Sequence, residues 1–414
     1  MKNLVGACMF GQSGGPTSVI NSSAAGVFCE ALKQKNITEV YGAAHGIRGI
    51  LNEEFYVINE EDPKELELMK YTPSSALGSV RYKLKDYNVD PTDYNRLLEV
   101  FKKYNIRYFF YNGGNDSMDT CNKVSKFLKQ SGYDCNVIGV PKTIDNDLYG
   151  TDHCPGYGSA AKYIATTIME INLDAKVYDT GLVCVIEVMG RNAGWLTAAA
   201  ALANYKGLGA DLIYLPEVPF DIDKFISDVK GVCDKNGNKC IAVVSEGIKT
   251  KEGKYVGEFT ASSTDLFGHA QLGGVGAMLA NLVKEKLGVK TRAIEFSLMQ
   301  RCGAHLASKV DVEEAFEAGS AAVKYAVDGE TDKMVIFERQ PGKEYKMKPV
   351  LMPIEQAANT EKTVPLSWIT NNGTGLSQEF VDYALPLIQG DAKAPLEDGL
   401  PRFAKLKKVL VNKK

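Results

Sequence analysis

One rhythm constrains the fold of this chain more than any other feature. A short run of β-branched and aromatic residues leads into a glycine-rich turn and then a helical stripe, and the unit recurs. Leu4 to Phe10 reads as a buried strand, with Gly11 to Pro16 as its turn. In the helix that follows, Ile20, Ala24, Val27, Phe28, Ala31 and Leu32 recur at helical spacing, with Thr17 or Ser18 as the expected cap. The pattern returns at Arg107 to Tyr111, with Gly113-Gly114 and a helix from about Ser117. It returns again at Val137 to Val140, followed by the loop Pro141 to Asp147.

A second series begins near Gly156. Its helix carries Ala161, Ile164, Ala165, Ile168 and Ile171 on one face, and the strand Leu182 to Val188 follows. Then come a small-residue helix from about Gly194 and strands at Leu212 to Leu215 and Ile241 to Val244. Strands that are continuous apolar runs and alternate with helices predict parallel sheets covered on both faces. The fold expected is α/β, with two three-layer αβα lobes, a cleft between them and a C-terminal extension. After about Lys333 the chain changes character: Met334 to Glu338 and Met347 to Ile354 read as a hairpin, ahead of proline-containing loops and a basic tail, Lys405 to Lys414.

Charge narrows the function. Lys plus Arg number 48 against 51 Asp plus Glu, a net charge of -3, so no global cationic footprint exists for nucleic acid or an anionic membrane. Any anion site must be local. The longest apolar stretches fall well short of the roughly 20 residues of a membrane span, and Met1-Lys2-Asn3 opens no secretory leader. Nine scattered cysteines without a C-x-x-C, and four histidines without H-E-x-x-H, predict reduced thiols in a cytoplasmic protein rather than disulfides or zinc.

Three loops follow predicted strands, where ligands collect in open α/β sheets. Gly11-Gln12-Ser13-Gly14-Gly15-Pro16 allows backbone N–H groups to approach an anion at a helix start. It reads equally as a tight turn, since it matches neither G-x-x-x-x-G-K-S/T nor G-x-G-x-x-G. Gly113-Gly114-Asn115-Asp116-Ser117 is a phosphate cradle with a metal-directed acid beside it, or a glycine turn capped by Ser117. The third, Pro141-Lys142-Thr143-Ile144-Asp145-Asn146-Asp147, is the sharpest. It packs a cation, a hydroxyl, two carboxylates and an amide into seven residues. Phosphoryl transfer needs that set: a cation for the moving group, a base for the attacking hydroxyl and an acid for Mg²⁺. Asp145 and Asp147 lie two apart, so in an extended loop both would point the same way.

With Leu77-Gly78-Ser79-Val80-Arg81-Tyr82 and Met189-Gly190-Arg191 added in the same order, the chain resembles the phosphofructokinases, specifically the pyrophosphate-dependent kind. The resemblance runs from about residue 4 to Arg301. It implies pyrophosphate and fructose 6-phosphate as substrates, Mg²⁺ as cofactor, and a homo-oligomer, dimer or tetramer. It also implies a first lobe of residues 1–150 with about 301–345 for pyrophosphate and Mg²⁺, a sugar-phosphate lobe of 151–300, and an extension of 346–414.

Carried over residue by residue, the resemblance makes Asp145 the base for the C1 hydroxyl, while Thr143 and Asp147 orient the phosphoryl group and its metal. Met189, Gly190 and Arg191 hold the sugar and the transition-state charge, and Glu246 takes sugar hydroxyls. Arg292 and Arg301 bind the 6-phosphate, one of them across a subunit boundary. Arg81 bridges the two phosphates, and Gly15, Asp116 and Ser117 line the donor site, Asp116 joining Asp147 at the metal.

Donor choice rests on two positions. ATP-using relatives carry glycine where this chain has Asp116 and Lys142. A carboxylate at 116 opposes a nucleotide by bulk and like charge, and Lys142 suits compact pyrophosphate. An ATP-dependent enzyme and a non-catalytic regulatory member are the alternatives, though Asp145, Asp147, Lys142 and Arg191 are all present. NAD and lipid kinases share the glycine-aspartate loop, but they predict a β-rich second half and an Asn-Glu pair. Gly273-Gly274-Val275-Gly276 suggests a dinucleotide fold only superficially; it follows no apolar strand and reads as a small-residue helix start.

Departures from the family lie around the phosphates: Asn115 replaces the usual first acid, Leu298 a common histidine, and Asp179-Thr180-Gly181-Leu182 lacks the cross-subunit arginine of bacterial ATP enzymes.

Overall fold

The computed structural model describes residues 4–177, 179–257, 274–357 and 360–413. Its larger sheet has seven strands in the order β11-β10-β5-β4-β1-β2-β3. These are β1 (Gly6–Gln12), β2 (Ile37–Ala43), β3 (Phe55–Val57), β4 (Ile106–Gly113), β5 (Asn136–Pro141), β10 (Lys333–Arg339) and β11 (Met347–Pro353). The inner strands are parallel, while β3 and β11 close the edges antiparallel. A smaller, all-parallel sheet runs β7-β8-β6-β9, formed by β6 (Leu182–Val188), β7 (Leu212–Tyr214), β8 (Lys239–Ser245) and β9 (Thr291–Glu295).

Each sheet has an apolar core on both faces, which is why β1, β5 and β6 are buried along their whole length. On one face of the large sheet the helices Ile20–Ala31 and Lys309–Val327 pack together. Their glycines set the approach: a Cβ on Gly26 would stand 2.0 Å from the Phe316 carbonyl oxygen, and one on Gly319 would stand 2.1 Å from that of Ser23. The expected α/β sandwiches are therefore present.

Two local expectations are corrected. Neither Thr17 nor Ser18 caps the first helix; the Val19 N–H donates to Thr17 Oγ1 at 3.1 Å inside a buried turn, and the helix begins at Ile20 without a side-chain cap. Ser117 is not a cap either. The helix Asn115–Gln130 starts two residues earlier, with Gly114 as its uncapped N-terminal residue, so Asp116 and Ser117 sit in its first turn.

The C-terminal extension touches both sheets' surroundings. β11 pairs with β10 in the large sheet, as the hairpin pattern predicts. The helix Gln378–Ala384 packs on the second lobe's core. Val409 O and Val411 N then bond to Val57 N and Phe55 O of β3, covering that exposed edge. Gly273 lies outside the described residues; Gly274 precedes the helix Val275–Leu287, a helix start.

Candidate active site

Parallel strands present their carboxyl ends at one rim, so the turns after β1, β4 and β5 meet there. They form one wall of a cleft of about 1150 Å³. Gly15, Asp116, Ser117, Lys142, Thr143, Asp145 and Asp147 lie on this wall, with Arg81 beside them. The facing wall follows β6, β8 and β9 and carries Met189, Arg191, Glu246 and Arg301. Of the residues expected at the site, two do not line the cleft. Gly190 stands behind it and donates its N–H to Glu246 Oε1 at 3.2 Å. Arg292 lies on β9, three residues or about 10 Å before Glu295 at the cleft end. It is exposed and lines a separate pocket of about 500 Å³ with Lys290, Thr167 and Glu170.

The Lys142–Asp147 loop is not extended. Asn146 takes a left-handed φ of 55° and turns its side chain inward, accepting from Cys154 N–H at 2.9 Å and donating to Tyr383 Oη at 2.8 Å. That reversal, rather than period-two alternation, places Asp145 and Asp147 on the same cleft wall. Thr143 Oγ1 accepts from the Asp145 N–H at 3.1 Å and donates to Asp145 Oδ2 at 3.4 Å, fixing the carboxylate.

Lys142 is buried beneath the first glycine turn, and its Nζ donates to Gly15 O at 2.6 Å. That is its one hydrogen bond among the described residues, which leaves two N–H donors for an anion. Burial draws its pKa down to about 8, against the pull of Asp145 and Asp147. Burial conversely raises Asp145, opposed by Lys142, Thr143 and Arg191. It pushes Asp147 up to about 7, helped by Asp145 and Glu361. Glu246 is likewise pushed up to about 7 by burial, the Gly190 N–H working the other way.

Arg301 reaches across the cleft. A Cβ on Gly15 would stand 3.3 Å from its Nη1, so glycine keeps room for the guanidinium. Leu298 is exposed and outside the cleft lining. Asn115 donates from Nδ2 to Asp147 Oδ2 at 3.0 Å, while its buried Oδ1 has no partner among the described residues.

Sequence reasoning missed Gln300, Asn192 and Glu361. Buried Gln300 accepts from the Met189 N–H at 3.3 Å, and its place beside Arg301 was the only available signal. Glu361, from the C-terminal extension, lines the cleft and accepts from Asn192 Nδ2 at 3.0 Å. No pattern in its irregular segment announces it.

The geometry has known counterparts. The family model described as Phosphofructokinase matches residues 8–326. A protein of Xanthomonas campestris pv. campestris named pyrophosphate–fructose 6-phosphate 1-phosphotransferase is 45% identical over 416 aligned residues, covering 99% of this chain and 98% of its own. One of the same name from Halomonas elongata is 44% identical over 410, covering 98% and 97%. The crystal structure of a pyrophosphate-dependent phosphofructokinase from Nitrosospira multiformis superposes with a TM-score of 0.90 at 42% identity, covering 99% of this chain and 98% of that one. With a matching family model over most of its length, full-length relatives, and the predicted loops gathered around one cleft, this chain belongs to the phosphofructokinase family.

Proposed function

We propose that this chain transfers a phosphoryl group between pyrophosphate and the C1 hydroxyl of fructose 6-phosphate, giving fructose 1,6-bisphosphate and phosphate, and that it works in both directions. One observation carries the reading. Asp116 and Lys142 face the same cleft as Asp145, in a chain whose full-length relatives bear pyrophosphate in their names.

Asp145 is the general base. Burial raises its proton affinity, and Thr143 holds its carboxylate toward the acceptor side. As the C1 oxygen bonds to phosphorus, its proton passes to Asp145. The bridging P–O bond breaks and its electron pair leaves with phosphate. Lys142, with two N–H donors to spare, and Arg191 compensate the charge that develops. Gly15, Ser117 and Arg81 seat the donor phosphates. On the facing wall Arg301 takes the 6-phosphate as a planar fork, while Met189 and Glu246 hold the sugar.

Asp147 and Asp116, with the unpartnered Oδ1 of Asn115, are hard oxygen donors of the kind Mg²⁺ takes. Mg²⁺ of this kind is held by one or two carboxylates and completes its shell with substrate phosphates and water. When bound, the cation neutralises phosphate charge and orients the transferred group.

Arg292 on the edge strand β9 supports a homo-oligomer, dimer or tetramer, in which it serves the sugar-phosphate site of a neighbouring copy. The nine unbridged cysteines suit the reducing cytoplasm. Among the described residues no helix is long and apolar enough to cross a membrane. The reading is tested by assaying pyrophosphate, ATP and polyphosphate as donors at equal Mg²⁺. Turnover with pyrophosphate supports it; turnover with ATP alone overturns it.

A further inference from the structure

Four residues of the C-terminal extension, Glu361 to Val364, run across the seam between the catalytic loop and the second lobe. On the loop side, Glu361 pairs with Leu148 in an antiparallel bridge, and the Lys362 N–H donates to Asp147 O at 2.8 Å. The Lys362 ammonium donates to Asp152 O at 2.7 Å and to Thr151 O at 3.1 Å. On the other side, Trp195 Nε1 donates to Lys362 O at 2.8 Å, and the ammonium lies 5.1 Å from the centre of the Trp195 ring. Glu217 Oε1 accepts from both the Gly194 N–H at 2.8 Å and the Val364 N–H at 2.9 Å. Gly194 ends the turn that follows Met189-Gly190-Arg191, and Trp195 opens the helix Trp195–Ala198 directly after it.

We propose that Glu361–Val364 is a strap that fixes the Asp145–Asp147 loop against the Arg191 turn, with Lys362 as its positioning residue. The extension is then part of the catalytic apparatus rather than an appendage. This inference rests on the phosphoryl-transfer reading given above.

The chemistry requires a lysine here. Two backbone carbonyls converge on a largely enclosed position, and an ammonium satisfies both while an indole face receives its charge. An apolar side chain of equal length would leave the carbonyls with fewer partners. The anchor is itself held on several sides. The Asp152 carboxylate accepts from Arg339 Nη2 at 2.9 Å and contacts His153 Nδ1 at 2.8 Å, while Tyr383 Oη donates to Asp152 O at 2.8 Å. Within the loop, Asn146 turns the chain and is held by Tyr383 Oη and the Cys154 N–H, while Lys142 at the other end bonds Gly15 O. Because phosphoryl transfer depends chiefly on placement, a shift of about 1 Å in this loop costs on the order of 10²-fold in rate.

The test compares Lys362→Met, Lys362→Arg and Trp195→Phe with the parent in the full chain. Pyrophosphate and fructose 6-phosphate are the substrates, and kcat and both KM values are measured. The strap predicts that Lys362→Met loses about 10²-fold in kcat while either KM moves less than about threefold. Lys362→Arg, which keeps a cation with donors, recovers about tenfold of that loss. Trp195→Phe, which removes the indole donor and part of the ring that faces the ammonium, lowers kcat in the same direction and decides the matter if Lys362→Met does not fold. A kcat within about twofold of the parent in the folded variants, or a loss confined to KM, overturns the proposal. A parent with no turnover on this substrate pair speaks against the reaction, not the strap.

Discussion

The side-chain amide of Asn115 donates to Asp147 Oδ2 at 3.0 Å, so the first residue of the helix Asn115–Gln130 holds an aspartate of the Lys142–Asp147 loop, the one proposed to face Mg²⁺. Asn115→Asp would bring two carboxylates together at that distance. In chelator the pair repels, and Tm is expected to fall by about 2–5 °C. Added Mg²⁺ should restore it, and the Mg²⁺ concentration for half-maximal activity should drop roughly threefold or more as ligand charge rises. A Tm that does not respond to Mg²⁺ in the variant would place the ion elsewhere.

Removing the proposed base separates chemistry from binding. Asp145→Asn keeps the shape of the side chain and its contact with Thr143 but cannot take a proton. kcat is expected to fall by about 10²–10⁴-fold with little change in the KM for fructose 6-phosphate. Near-normal turnover in a folded variant would sink the assignment.

Arg292 gives a subunit-mixing experiment. It lines a pocket away from the cleft that holds Asp145, so each residue is expected to serve a different copy's site. Arg292→Ala and Asp145→Asn chains should each be nearly inactive alone. Co-refolded in equal amounts, they should regain about a quarter of parental activity, because half the dimers are mixed and each has one intact site. A mixture as inactive as its components would confine Arg292 to its own chain or remove it from catalysis.

His153 supplies a pH signature of stability. Its Nε2 is 2.7 Å from Glu314 Oε2 and its Nδ1 is 2.8 Å from Asp152 Oδ1, in a buried position. Burial disfavours the imidazolium, but Glu314 and Asp152 outweigh it and hold the pKa up to about 8, above the ordinary 6.5. A folded-state pKa raised in this way stabilises fully below pH 6.5 and is lost as pH rises through about 8. The loss is on the order of 2 kcal/mol between about pH 6 and about pH 9. Urea unfolding should show it in the parent and not in His153→Gln. Equal pH slopes in the two proteins would mean that His153 is not charged when folded.

What could be read from the sequence was whatever repeats or concentrates. The strand–turn–helix rhythm places β1, β4 and β5 in one sheet because a strand buried on both faces leaves a continuous apolar run, as Val137 to Val140 does. Lys142 to Asp147 stood out because so much polar chemistry follows a buried strand. The inward turn at Asn146 did not, since a left-handed residue leaves no mark on periodicity. Glu361 and Lys362 were illegible for a different reason: their roles arise from tertiary contacts with Asp147, Thr151 and Trp195, far away in the chain. The placement of Arg292 outside its own cleft is likewise a property of sheet order, not of local pattern.

Donor choice is the central claim, and one ratio measures it most directly: kcat/KM for ATP over kcat/KM for pyrophosphate. It is taken in the parent, Asp116→Gly, Lys142→Gly and the double variant. Asp116 stands in the first turn of a helix whose N-terminus opens on the cleft, where its charge and bulk oppose a nucleotide. Lys142 holds a buried ammonium against Gly15 O on the same cleft, where it is proposed to meet the leaving phosphate. Asp116→Gly should raise activity with ATP to a measurable level, and Lys142→Gly should lower kcat with pyrophosphate by about 10²–10³-fold. The ratio should therefore rise in each single variant and most in the double. A ratio unchanged across four folded proteins would contradict the account and remove both residues as determinants of the donor.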